Sequence, residues 1–421
     1  METTTFTKLY DPFDRAAAPA KFQPLRQSAR QRLREIPFPT PRTEDWLFTS
    51  VAPILQAAYT LPAPSAIDAA TLPPLPTPDA VRLVFVNGRF DKALSRITGL
   101  PAGVQVGSLA DADPAVLQAK LARIASGDPE QAFTVLNTSF LSDGAYVVAG
   151  DNVVVTQPIE IICLTTPGAT PAVTHPRVLL IAGRSAQVTV IERFLATGPG
   201  VYFTNAVTEV LLAEHAVVDH VKLQQESLQA YHVANTQVVM AAKSNFTTHF
   251  LSFGGALVRN EVRVRFDGEH AEATVNGLYL ADGTQHIDNH TVIDHAKPNC
   301  ASHEVYKGVL GGKSHGVFNG KIFVRKDAQK TDAKQTNKVL LLSDDATINT
   351  KPQLEIFADD VKCTHGATIG QLDAGQLFYL RSRGVGEAAA RRLLTYAFAN
   401  DIVNRLKIES IRDQMEALIV K

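Results

Sequence analysis

The sequence is poor in the residues that would tie it to an oxidising or a membrane environment. Three cysteines, Cys163, Cys300 and Cys363, are too few and too scattered in 421 residues for a disulfide framework, which fits a reducing compartment. No apolar run reaches the roughly 18 residues of a membrane span. The opening METTTFTKLYDPFDR carries acidic groups and no apolar stretch, so neither a signal nor a transit peptide is expected there. An excess of charge is also missing. Lys plus Arg (41) nearly matches Asp plus Glu (42), and a net charge of −1 argues against binding nucleic acid through its phosphates. Aromatics make up 7 %, with one tryptophan, Trp46. A cytosolic protein is expected.

What is present falls into three regions: a helical and mixed segment over 1–142, a strand-rich core over 143–373, and a helical region over 374–421. In the first, Phe22, Leu25, Ala29 and Leu33 recur at helical spacing, with the arginines between them read as a solvated face. Pro37, Pro39 and Pro41 end that helix, and Thr43-Glu44-Asp45 opens a short one carrying Trp46 and Leu47. Leu61 to Pro78, rich in Pro and Ala, reads as a linker. VRLVFVNGRF (81–90) is a strand followed by an Asn-Gly hairpin turn. Asp113-Pro114 and Asp128-Pro129 each resemble a capped helix start.

From 143 onward short alternating strands replace the helical period. In EVRVRFDGEHAEATVNGLYL, Val262, Val264 and Phe266 alternate with arginines, and Ala271, Ala273 and Val275 alternate beyond the Asp267-Gly268 turn. Comparable turns at Gly183-Arg184, Glu214-His215, Lys243-Ser244 and Gly268-Glu269 recur at roughly 25–30 residues, a solenoid period. The fold predicted is mainly β, a parallel β-helix, with a sandwich or jelly roll as the competing arrangement. After 373, Leu394, Phe398, Ile402 and Leu406 form one helical stripe. Ile408, Ile411, Met415, Leu418 and Ile419 form a second, with Ser410 a candidate N-cap. So small a helical unit has to pack on the solenoid or on a partner.

The stretch from Pro352 to Tyr379 carries the most chemistry. Ala358-Asp359-Asp360 reads as a turn. Val361, Cys363, His365 and Ala367 then share one face of a strand, and Asp373 opens a helix. A thiol and an imidazole two positions apart stand roughly 7 Å from each other, pointing the same way. From spacing alone the preferred reading is a core cysteine beside a satisfied histidine, since two ligands do not close a metal centre. All twelve histidines lie between His175 and His365, and solvent-facing positions on the coils are the reading for the others. In HIDNHTVIDH, His286 and His290 share one strand face and His295 the other.

Two lookalikes carry little. KGVLGGKSH (307–315) has Lys307 where a phosphate-binding loop needs its first glycine, and a strand pattern follows it, so no nucleotide site is expected. SRGVGEAAARRLL (382–394) has the shape of a helix–hairpin–helix DNA binder without the basic charge that activity needs. A β-helix enzyme acting on polysaccharide is a further alternative. It would need carboxylates along a groove and usually a secretion signal.

NHTVIDHAKPNCAS, YKGVL, VFNGKIFV, the long block DAKQTNKVLLLSDDATINTKPQLEIFADDVKCTHGATIGQLD and LFYLRSRG together resemble the SufB/SufD family of the SUF iron–sulfur assembly system. RTEDWLFTS near the N-terminus is similar too. The resemblance runs from about Leu136 to the C-terminal helices, and moderate length with few cysteines favours the SufD branch. It implies a right-handed parallel β-helix with helical ends and a non-enzymatic scaffold role in a complex with SufB and the ATPase SufC, supplied with sulfur by a cysteine desulfurase system. It implies that the coil end around Val361–His365 faces SufB. His365, with Cys363 as companion, would then help hold iron or a transient iron–sulfur cluster. LFYLRSRG and residues 386–406 would dock SufC, and a homodimer would be an option without SufB.

Overall fold

The computed structural model describes residues 4–16, 19–114, 117, 120–122, 124 and 131–420. Its centre is a parallel β-solenoid of about eight turns in which each coil adds one strand to each of two facing sheets. One sheet stacks Val81–Val86, Ile159–Thr165, Gln187–Ala196, Val217–Gln225, Asn245–Ser252, Glu272–Ala281, Ala301–Leu310, Asp332–Leu341 and Lys362–Gly370. The facing sheet ends on Thr347–Ile356. The pairs Val217–Asn245, Asn245–Glu272, Glu272–Ala301, Ala301–Asp332 and Asp332–Lys362 are in register, so coils advance by 27 to 31 residues. The stacking reaches back to Val81–Val86, which pairs in parallel with Ile159–Thr165 and turns back through Asn87-Gly88 as an antiparallel hairpin.

The expected turns all fall on one corner of the solenoid. Ser185, His215, Lys243, His270, Asn299 and Lys330 there adopt left-handed backbone, with φ between 56° and 62°. That conformation costs a non-glycine residue roughly 1–2 kcal/mol. Bonds between coils offset it: the N–H of Ser185 donates to Glu214 O, that of His215 to Ala242 O, and that of Lys243 to Glu269 O, at 2.8–3.1 Å. Stacked corners therefore hold one another.

Apolar residues from both sheets meet between them, Val190, Val218, Val275 and Val339 from one and Val238, Val264, Ile293 and Ile322 from the other. The outer faces are covered separately. Phe6, Leu33, Phe38, Ile54 and Phe133 of the N-terminal region pack on Phe203, Val233 and Leu257 of one sheet. Ala399, Ile402, Val403, Leu406, Ile411, Met415 and Ile419 pack on Ile191, Val221, Leu223, Leu251 and Leu278 of the other. Two of the C-terminal helices, Glu387–Val403 and Glu409–Val420, thus find their partner in the solenoid, whereas the helix before them, Ala374–Ser382, buries no residue there.

Several local expectations are corrected. Arg26 belongs to no solvated face; it is buried, and its guanidinium donates to Pro19 O and Leu141 O at 3.0 Å. The buried stripe of Glu387–Val403 is rotated onto Ala399 and Val403, leaving Leu394 and Phe398 half-buried. Ser410 does not cap the last helix, which begins at Glu409; its hydroxyl donates to Pro76 O at 2.6 Å. Asp128 and Pro129 lie outside the described residues, as does most of the segment after Asp113.

The largest correction concerns the histidines. His220, His232 and His295 are at most 1 % exposed, and His249 and His290 are buried too. Both faces of most strands are covered, so a polar residue in the alternation does not mark a solvent side. The lumen holds a hydrogen-bonded network instead. His220 Nε2 meets Glu192 at 2.8 Å and its Nδ1 meets Thr248 Oγ1 at 2.8 Å. Lys222 Nζ contacts His232 Nε2 and donates to Asn260 Oδ1, both at 2.8 Å, while His232 Nδ1 pairs with Glu226 at 2.7 Å. Burial lowers the Lys222 ammonium to about 8.

Candidate functional site at the open end of the solenoid

Lys362–Gly370 is the last strand of its sheet and, among the described residues, pairs only with Asp332–Leu341, in the register Cys363–Ala333, His365–Gln335 and Ala367–Asn337. Its other edge is unpaired, a row of free N–H and C=O groups of the kind another chain adds a strand to. Ile356, Phe357 and Ile369 are exposed at this end. Asp373 then accepts from Gln376 N at 2.7 Å and starts helix Ala374–Ser382.

Cys363 and His365 share the inward face of this edge strand. Cys363 is half-buried and packs against the solenoid core. Burial holds its thiol above the ordinary value, the Asp332 carboxylate pushes the same way, and the backbone at Ala333 opposes them. His365 is exposed, and among the described residues no hydrogen bond holds its ring. Among the described residues no three His, Cys, Asp or Glu side chains converge as a metal site. The end thus presents one thiol and one imidazole, a soft and a borderline donor, two ligands that do not by themselves close a metal centre. The other cysteines stand apart: the Cys300 thiol donates to Gly268 O at 3.3 Å, and Cys163 sits in an early coil with its thiol raised by burial.

Below His365 runs a column that sequence reasoning missed. Its ladder positions are Val190, His220, Thr248, Val275, Glu304, Gln335 and His365. Gln335 Nε2 donates to Glu304 Oε2 at 2.9 Å, and Thr291 of the facing sheet donates to Glu304 Oε1 at 2.5 Å. Among the described residues Glu304 has no cation partner, and burial raises its carboxyl to about 7. Gly320 leaves the room for the Gln335 amide: a Cβ there would stand 2.2 Å from Nε2. The available signal was the coil period, because Glu304, Gln335 and His365 follow one another by 31 and 30 residues.

The lookalike motifs resolve into solenoid parts. Gly311–Ser314 is a corner between two strands, with Gly312 at φ 57°. Lys307 holds down the helix Glu387–Val403, donating to Phe398 O at 2.8 Å and pairing with Asp401 at 3.1 Å. Residues 383–386 join two helices, with Gly384 at φ 87°. No helix among the described residues is long and apolar enough to cross a membrane.

Fold and site together define a parallel β-helix with an unpaired, donor-bearing end. The chain belongs to the SufBD family of the SUF system: its residues 164–398 match the family profile "SUF system FeS cluster assembly, SufBD core domain", and residues 2–161 match "SufBD protein N-terminal region". It is 33 % identical over 407 residues to an iron–sulfur cluster assembly SufBD family protein of Synechocystis, covering 94 % of this chain and 89 % of that one. It is 32 % identical over 406 residues to the iron–sulfur cluster assembly protein SufD of Escherichia coli, covering 95 % and 92 %. A chloroplastic Arabidopsis protein, ABCI7, is 29 % identical over 413 residues, covering 95 % and 86 %.

Proposed function

We propose that this chain is the SufD-type scaffold subunit of a cytoplasmic SUF complex, performing no chemical turnover of its own. Its open end pairs with SufB, and iron or a nascent cluster is held as cargo between His365, Cys363 and groups of the partner. The observation that carries this reading is the coincidence, at one end of the solenoid, of an unpaired edge strand bearing two metal-donor side chains and the exposed apolar residues Ile356, Phe357 and Ile369. An edge strand with free backbone groups and apolar neighbours gains by being covered. Two ligands from one chain suit a cluster that must later leave, whereas four cysteines in one chain would retain it.

SufC docks on the C-terminal helices, in 377–384 and 386–406. Phe378 and Tyr379 support this, being 73 % and 57 % exposed on a helix with little contact to the solenoid. ATP hydrolysis belongs to SufC, and a cysteine desulfurase system supplies the sulfur. Without SufB, the same edge is available to a second copy of the chain. Co-expression of a tagged chain with SufB and SufC tests the assembly: all three are expected in one complex, and a chain eluting alone would overturn the reading.

A further inference from the structure

The isolated position of Glu304 calls for an explanation. A carboxyl 2 % exposed, with no arginine, lysine or histidine among the described residues against it, costs stability that a valine at the same ladder position one coil earlier, Val275, does not. Its bonds show what it does hold. Thr291 fixes one oxygen from across the lumen, and the other accepts from Gln335 Nε2. With its amide nitrogen committed downward, Gln335 has one acceptor left, Oε1, and that atom is buried with no partner. A buried acceptor left unpaired costs about 1–3 kcal/mol. The next residue up the ladder is His365, one strand spacing away, about 4.8 Å between backbones.

We propose that Glu304 is a positioning residue that locks the Gln335 amide so that its Oε1 takes an N–H of the His365 ring when the mouth of the solenoid is loaded. A ligating histidine needs its second nitrogen tied to an acceptor, which fixes the ring and its tautomer and leaves the other lone pair aimed at the metal. Here the acceptor is an amide oxygen, and the amide is itself anchored by a carboxyl one coil deeper. The inference rests on His365 being a ligand; it adds the reason why a glutamine and an acid lie stacked beneath it. Gly320 belongs to the device, because any side chain there displaces the amide.

The test uses the full chain labelled with 15N-histidine and titrated with zinc alone, reading the His365 ring by NMR, with melting curves taken in parallel. Wild type is expected to bind zinc at His365 with one ring nitrogen metallated and the other protonated. Gln335→Leu and Glu304→Leu are each expected to weaken binding about tenfold, measured well below their melting temperatures. Glu304→Gln keeps an acceptor for Gln335 and is expected to stay within about twofold of wild type, which a general loss of packing would not reproduce. Equal zinc affinity in wild type, Gln335→Leu and Glu304→Leu overturns the proposal. Should His365→Ala leave zinc binding unchanged, or should wild type bind none at His365, the ligand reading falls as well.

Discussion

The guanidinium of Arg259 lies 3.9 Å from the ring of Trp46 and pairs with Asp288 at 2.5 Å, tying the N-terminal segment to a middle coil. Thr49 closes the same contact through bonds to Asp288 Oδ2 and His286 Nε2. Thr49→Val leaves a buried carboxylate oxygen and a ring nitrogen short of a partner, so a loss of about 1–3 kcal/mol is expected in urea unfolding. Trp46, the sole tryptophan, reports the event directly. Its emission should shift to the red at lower urea in the variant, and coincident curves would refute the role given to Thr49.

Tyr279 and Gly308 occupy neighbouring rungs, and so do Gly277 and Tyr306, each ring filling the space above a glycine. A Cβ on Gly308 would stand 2.4 Å from Tyr279 Cζ. Gly308→Ala is therefore expected to cost about 1–3 kcal/mol by overpacking. Adding Tyr279→Leu should recover part of that cost, a non-additivity measurable by a double-mutant cycle of melting curves. Additive losses would mean the ring and the glycine do not share one space.

Titration should limit stability on both sides of neutrality. Desolvation lowers His175 and His295 to about 3, and His249 and His286 to about 4. Unfolded histidines bind protons first, so this stability is present above about pH 6.5 and is lost as pH falls toward 4. Glu304 works in the opposite sense. Raised to about 7, its stability is present below an unfolded Glu pKa of roughly 4.3 and lost as pH rises through 7, a swing of order 3 kcal/mol. Glu304→Gln should therefore gain melting temperature relative to wild type between pH 5 and pH 8. Parallel curves over that range would show that Glu304 does not titrate there.

The surface proposed for SufC makes a separate demand. Phe378 and Tyr379 are exposed and support no core, so Phe378→Asp with Tyr379→Ser should leave the melting temperature within about a degree of wild type. The same change should abolish retention of SufC while keeping SufB. Undiminished capture of SufC would place its docking surface elsewhere. Truncation is a poorer probe, because residues 399–419 cover Ile191, Val221, Leu223, Leu251 and Leu278.

The features that sequence made legible are local ones. Alternation in EVRVRF, the Asn87-Gly88 turn and the recurring corners are written in neighbouring residues, and each reappears in the coils. Cys363 and His365 could be placed together because two positions on one strand share a face. What stayed hidden depends on stacking. Nothing within HVKLQ tells that His220 and Lys222 point into a lumen, since both faces of that strand are covered. Glu304 and Gln335 become neighbours of His365 only through the coil register.

The most direct measurement compares wild type, His365→Ala and Cys363→Ala, each co-expressed with SufB and SufC, for complex yield, melting temperature and iron–sulfur absorbance. His365 is exposed at an unpaired edge, so its loss should leave yield and melting unchanged and strongly reduce the absorbance per complex. Cys363 packs against the core, so a small drop in melting temperature is expected with it. A complex of His365→Ala with normal cluster absorbance would contradict the central claim that the open end of the β-helix holds the cargo.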